Sequence, residues 1–186
     1  MKNIILFASG RGSNVKAIYH YFKGNNQVKI AAIVCNNSKA GIIDFAKEEN
    51  IPLILIDKVQ IQSNEFIQEL QSFQAKLIVL AGFLWKIPET LIEAFPHKII
   101  NLHPALLPKY GGKGMYGENV HKAVIAAGEK ETGITIHFID EQYDKGHNIV
   151  QAYCSLEPTD DLAIIQSKIQ KLEHYFLPRT IEFLLK

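Results

Sequence analysis

Cysteine is scarce: the 186 residues hold only Cys35 and Cys154. They are far apart and neither belongs to a Cys-x-x-Cys pair. That excludes a zinc ribbon and a disulfide framework and suits a reducing compartment. Charge of one sign is missing too, with 20 Lys and Arg against 19 Asp and Glu and a formal net charge of +1. Without a basic surplus, no nucleic-acid partner is expected. Long apolar runs are also absent. The run Ile4 to Ala8 is too short for the core of a signal peptide, and nothing later approaches a membrane span. The expectation is a soluble, cytoplasmic chain with no membrane partner. There is no G-x-x-x-x-G-K-[ST] loop and no G-x-S-x-G elbow. Neither cysteine has the partner signature of a nucleophile, and no ligand cluster points to a metal.

What is present is alternation. "NIILFA" (3–8) is an almost unbroken apolar run, as a strand buried on both faces requires. Ser13 and Asn14 are candidate caps for a helix whose apolar positions Val15, Ile18, Tyr19 and Phe22 recur at helical spacing. Strands are then expected over 28–35, 52–56, 76–82 and 98–102, with helices over 40–50, about 63–74, and 87–95 with Pro88 near its start. Strand and helix in turn mean a parallel sheet with right-handed crossovers. The second half changes character. A helix over 120–130 is followed by two successive strands, 133–140 and 148–156, which predict an antiparallel portion. A last helix from about Asp160 carries Leu162, Ile165, Ile169, Leu172 and Phe176 on one stripe, and Pro178 is expected to kink or interrupt it. The fold class is α/β: a Rossmann-like, doubly wound, mostly parallel sheet with an antiparallel portion towards the C-terminus. With no repeat or linker in sight, 1–186 is expected to be one domain.

Two stretches carry chemistry. "ASGRGSN" (8–14) joins the first strand to the first helix, where free N–H groups and the helix dipole favour an anion. Only G-x-G is present, with Val15 where a dinucleotide fingerprint has its third glycine. An anion site and a bare capped turn both fit. "INLHPALLP" (100–108) ends a strand in Asn101 and His103, whose period-two spacing puts both side chains on one face. In a doubly wound sheet, ligands bind beyond such strand ends. An amide donor beside an imidazole suits stabilisation of an oxyanion and movement of a proton. The plainer alternative is a structural histidine with Asn101 tying down the proline loop. His20, His97 and His121 read as solvated positions. His137 faces either the same cleft or water, and Asp140, Glu141 and Asp144 crowd the loop after its strand.

These motifs, "SGRGSN", "VLAGF" (79–83), "INLHPALLPKYGG", "GITIHFIDEQYDKG" and "KLEHYFLP" (171–178), occur in an order and spacing that resembles the phosphoribosylglycinamide formyltransferase family of folate-dependent formyltransferases. The resemblance runs nearly end to end. Its Asn-x-His-Pro-x-Leu-Leu-Pro motif is shared by 10-formyltetrahydrofolate transferases generally, while the Gly-Ser-Asn loop narrows the substrate. The resemblance implies formyl transfer from 10-formyltetrahydrofolate to the amine of glycinamide ribonucleotide, without a metal or a covalent enzyme. It implies His103 as acid and oxyanion partner, Asn101 as hydrogen-bond donor to the formyl oxygen, and Asp144 as the group sustaining His103's protonation. Gly12, Ser13 and Asn14 would hold the ribose phosphate, with Glu173 on the other side of that substrate. The pterin would sit against Leu84, Trp85, Lys86 and Ile87 and against the loop Asp140, Glu141, Gln142, Tyr143 and Asp144. A phosphate-binding half, about 1–100, and a catalytic and folate-loop half, about 101–186, follow from this, in a monomer or homodimer.

The chain departs from the common family pattern in three places. Trp85 and Lys86 stand in the pterin strip, the loop after Pro108 is longer, and the helix over 63–70 lacks an arginine that often meets the folate's glutamate tail. Rival expectations are a formyltransferase acting on an amino sugar nucleotide and a non-catalytic nucleotide-binding module. A tRNA formyltransferase would bring a further C-terminal domain and a basic surface, and a formyltetrahydrofolate hydrolase a further N-terminal domain.

Overall fold

The computed structural model describes residues 1–140, 144 and 146–186. Its centre is one seven-stranded sheet: β1 Lys2–Ala8, β2 Val28–Cys35, β3 Leu53–Leu55, β4 Leu77–Leu80, β5 Ile99–His103, β6 Glu131–Phe138 and β7 Asn148–Ser155. The spatial order is β3-β2-β1-β4-β5-β6-β7. The first five strands are parallel, and β6 and β7 each pair antiparallel to their predecessor. Among the described residues six α-helices accompany them: α1 Ser13–Phe22, α2 Ile42–Glu48, α3 Asn64–Ser72, α4 Glu89–Ala94, α5 Glu118–Ala126 and α6 Leu162–Leu184.

The alternation along β1 shows why the sheet is covered on both sides. Ile4, Leu6 and Ala8 belong to a core with α1, α2 and α6, whereas Ile5 and Phe7 belong to a second core with α3 and α4. A strand buried on both faces needs an unbroken apolar sequence, and 3–8 supplies it. The winding reverses between β1 and β4, so the loops after these strands diverge and leave a crevice at their carboxyl ends. Ser9 fixes one wall of it. Its N–H donates to the Gly82 carbonyl (3.0 Å), and its Oγ accepts from the Leu84 N–H (3.0 Å).

Two local expectations are corrected. Neither Ser13 nor Asn14 caps α1. The helix starts at Ser13 with Gly12 in the N-cap position, at φ 73°, and no side chain bonds the first turn. A Cβ on Gly12 would also run into the Ile42 side chain, so glycine is required there on two counts. Pro178 does not interrupt the last helix, which runs through it from Leu162 to Leu184. The helix tolerates the lost N–H because Ile165, Ile169, Leu177 and Ile181 are buried against the sheet. Asp161 caps it by accepting from the Ile164 N–H (2.8 Å).

Gly133 lies where β6 is most tightly enclosed. A Cβ there would strike the Ala152 carbonyl oxygen of β7 and the Leu106 side chain. Gly133→Ala is expected to destabilise the fold by about 1–3 kcal/mol, because a backbone neighbour cannot rotate away. Urea unfolding of the two proteins measures this, and unchanged stability would show that β7 shifts at no cost.

Candidate active site

The antiparallel register of β5 and β6 sets Asn101 opposite His137 and His103 opposite Thr135. Residues directly opposite share a face, so all four side chains point the same way. Sequence reasoning left His137 undecided between cleft and water, and it lies in the cleft, buried. Its Nδ1 is 2.9 Å from the Phe138 carbonyl, which can only accept, so Nδ1 carries the hydrogen. The bare Nε2 then accepts from Asn101 Nδ2 at 3.2 Å. This fixes which way the Asn101 amide points and leaves its second N–H for a ligand.

Thr135 is the knot behind the proline loop, a role that no local pattern signals. Its hydroxyl donates to the Ala105 carbonyl (2.7 Å) and accepts from the Leu107 N–H (3.0 Å) and Gln151 Nε2 (2.9 Å). Gln151 also donates to the Leu107 carbonyl (2.9 Å). The chain therefore turns away from β5 immediately after His103 along a fixed path.

His103 is almost wholly buried. Its Nε2 donates to the Tyr110 carbonyl at 2.8 Å, which leaves Nδ1 as the nitrogen free to gain or lose a proton. Nδ1 is 3.7 Å from Asp144 Oδ2. Burial holds His103 below the usual histidine range; Asp144 and the Tyr110 carbonyl pull it back up and His137 pushes it further down. So Asp144 limits the loss of basicity but does not reverse it. Asp144 is itself held below the usual carboxylate range. Burial acts to raise it, but its contacts with the His137 ring and the Gly112 N–H (2.8 Å), with the pull of a charged His103, outweigh that. Its other oxygen is 3.6 Å from His137 Nε2.

These groups border a cavity of about 420 Å³ at the strand ends. Leu84, Trp85, Lys86 and Ile87 line it, as do Asp140 and Asp144. Glu141, Gln142 and Tyr143 lie outside the described residues. Asn14 and Glu173 line the cavity too, and Asn14 Nδ2 donates to Glu173 Oε2 at 3.0 Å. Burial raises Glu173 above the usual range and the Asn14 bond opposes this. Asn14 Oδ1 is buried and finds no hydrogen-bond partner among the described residues. Gly12 and Ser13 form the adjoining helix start but do not line the cavity. His121, read as solvated, is a correction: it is buried and lines the cavity, and its Nδ1 has no partner among the described residues. Burial lowers its affinity for a proton, Glu118 opposes, and His103 adds to the lowering. Among the described residues, no group of three or more His, Cys, Asp or Glu is arranged to hold a metal ion. No helix among them is long and apolar enough to cross a membrane.

A Rossmann-like sheet with an amide, an imidazole and a carboxylate converging at its strand ends defines a site for acyl-group chemistry. The chain belongs to the formyl transferase family, whose model matches residues 2–181. The phosphoribosylglycinamide formyltransferase of Bacillus subtilis (strain 168) is 36% identical over 191 residues, covering 100% of this chain and 95% of that one. The chloroplastic phosphoribosylglycinamide formyltransferase of Vigna unguiculata is 36% identical over 98% of this chain, which spans 61% of that protein's length. The crystal structure of glycinamide ribonucleotide transformylase 1 from Geobacillus kaustophilus superposes with a TM-score of 0.90 at 33% identity, covering 100% of both chains.

Asp144→Asn removes the charge facing His103 Nδ1 and nearly keeps the shape. Since Asp144 is one of the two groups raising His103, its titration midpoint should move to still lower pH. NMR titration of the imidazole in both proteins tests this. Coincident curves would mean that Asp144 does not tune His103 and serves only to tie Gly112.

Proposed function

We propose that this chain transfers the formyl group of 10-formyltetrahydrofolate to the primary amine of glycinamide ribonucleotide, a step of purine biosynthesis. The observation that carries this reading is the convergence of Asn101, His103 and Asp144 on one cavity. The family match and the names of the relatives support the substrates.

The amine adds to the formyl carbon, the carbonyl oxygen gains charge, and the C–N10 bond then breaks. One proton leaves the attacking nitrogen and one arrives at N10, so none is released overall. The free N–H of Asn101 suits the oxygen as it becomes charged, because His137 holds the amide in the donating orientation. His103 Nδ1 suits the proton's passage. Burial keeps the resting ring neutral and able to take the proton, and Asp144 stabilises the imidazolium that then acts as the acid at N10. The start of α1, with Gly12, Ser13 and Asn14, favours the ribose phosphate, and Glu173 bounds the same substrate. The strip from Leu84 to Ile87 and the loop 140–144 receive the pterin. The two halves of the chain, about 1–100 and 101–186, thus supply phosphate binding and catalysis within one unit.

The test is an absorbance assay with glycinamide ribonucleotide and a 10-formyl folate, with an amino sugar nucleotide as the competing amine. Turnover is expected with the ribonucleotide alone; thermal stabilisation without turnover would identify a binding module instead. His103→Ala and Asn101→Ala should each lower kcat by about two to three orders of magnitude, since each removes a group serving the charged intermediate. Near-wild-type kcat in either variant, with folding checked by circular dichroism, overturns that residue's role.

A further inference from the structure

We propose that Glu129, outside the reaction cavity, is a positioning residue for His103, acting through the Tyr110 side chain to hold the Tyr110 carbonyl against His103 Nε2. The inference rests on formyl transfer as proposed above for its kinetic readout only.

The chain of contacts is short. His103 Nε2 donates to the Tyr110 carbonyl at 2.8 Å, and this bond selects the tautomer that leaves Nδ1 facing Asp144. That carbonyl is aimed inward because Tyr110 is in the left-handed region, at φ 56°, which costs energy for a residue with a Cβ. Leu107 before it is held by Thr135 and Gln151, and Gly112 after it is tied to Asp144, but none of these bonds reaches Tyr110 itself. Pro108 and Lys109 are exposed, and Gly111, Gly112 and Gly114 follow, with Gly112 and Gly114 themselves at positive φ. A backbone between a proline and a glycine run relaxes unless a side chain anchors it. The Tyr110 hydroxyl supplies the anchor, donating to Glu129 Oε1 at 2.8 Å. The same carboxylate oxygen takes Lys109 Nζ at 2.8 Å. Two successive residues of the loop are therefore fastened to one point in the short turn between α5 and β6. A separate cavity of about 250 Å³, lined by Leu107, Tyr110, Val124 and Thr132 among others, lies against this fastening. The Tyr110 hydroxyl bond to Glu129 and the Gly112 bond to Asp144 thus hold the loop at two separate points.

Glu129→Ala is the primary variant, with kcat, both KM values and the NMR midpoint of His103 as readouts. A displaced carbonyl leaves the imidazole free to turn, and misplacement on that scale lowers kcat by about 10- to 100-fold with both KM values within about twofold. The midpoint of His103 should fall, because an accepting carbonyl favours the charged ring. Asp144, His137 and His121 also face that ring, and none of them is altered. Tyr110→Phe removes one hydroxyl and should reproduce both changes; it answers the question should Glu129→Ala fail to fold. The double variant should be no slower than the slower single one, since both break the same link. Glu129→Gln keeps an acceptor for the hydroxyl and should recover most of the rate and of the midpoint. Wild-type kcat and midpoint in Glu129→Ala and Tyr110→Phe overturn the proposal. So does a loss confined to KM, or a lowered melting temperature with kcat per folded molecule unchanged. A wild-type protein that transfers no formyl group would refute the functional reading, while the midpoints would still decide whether Glu129 orients His103.

Discussion

The pairing of β6 with β5 is antiparallel, and the reactive part of the molecule depends on that reversal of direction. A parallel neighbour would slant its hydrogen bonds and need a long crossover before returning beside β5. The antiparallel strand instead brings His137 and Thr135 opposite Asn101 and His103, in fixed register. From one pairing come the orientation of the Asn101 amide, the anchoring of the proline loop and the depth at which His103 is buried. A slip of β6 by one residue would send Thr135 and His137 to the face of Ile100 and Leu102 and take Ile134 and Ile136 out of it. Those residues resist such a slip, so the apolar core on one side of the sheet enforces the polar geometry on the other.

Electrostatics in the cleft are a contest between burial and charge. His103 and Asp144 are both withdrawn from water, which disfavours the charged form of each. For the carboxylate, hydrogen bonds win, and Asp144 stays ionised. For the imidazole, burial wins, and the ring rests neutral. One negative charge thus lies beside a buried ring, and it opposes the effect of burial on that ring. The resemblance to formyltransferases implies that Asp144 sustains the protonation of His103, and Asp144 Oδ2 lies 3.7 Å from His103 Nδ1.

Much of the fold was legible because its signals were local. The unbroken apolar run at 3–8 implied a strand with two buried faces, and the succession of two strands after 130 implied the antiparallel end. Asn101 and His103 were visible as a pair because period-two spacing is a property of the strand itself. His137 was not, since its face is set by a register with β5 that no single strand encodes. His121 was misjudged because its neighbours Glu118, Asn119 and Lys122 are polar, while the helix turns Val120, His121 and Val124 inward. Thr135 and Gln151 left no trace, for a lone polar residue in an apolar strand looks the same whether or not it ties down a loop. Ser13 looked like a helix cap by type, yet Gly12 takes that position because only its backbone fits against Ile42.

The packing of α6 has a consequence in time. This helix, Leu162–Leu184, covers β6 and β7 with Ile165, Ile169, Leu177 and Ile181, and carries Glu173 to within hydrogen-bonding reach of Asn14. One wall of the cavity thus comes from near the start of the chain and another from near its close. During synthesis, β1 to β5 can form their parallel layer early with α1 and α2 against it, but the part of that face that α6 covers stays bare until α6 has been made. Contacts of such wide sequence separation form late and slowly. The nascent chain therefore passes through a stage with its strands arranged and its pocket still open on one side. The cavity closes only when the final helix docks.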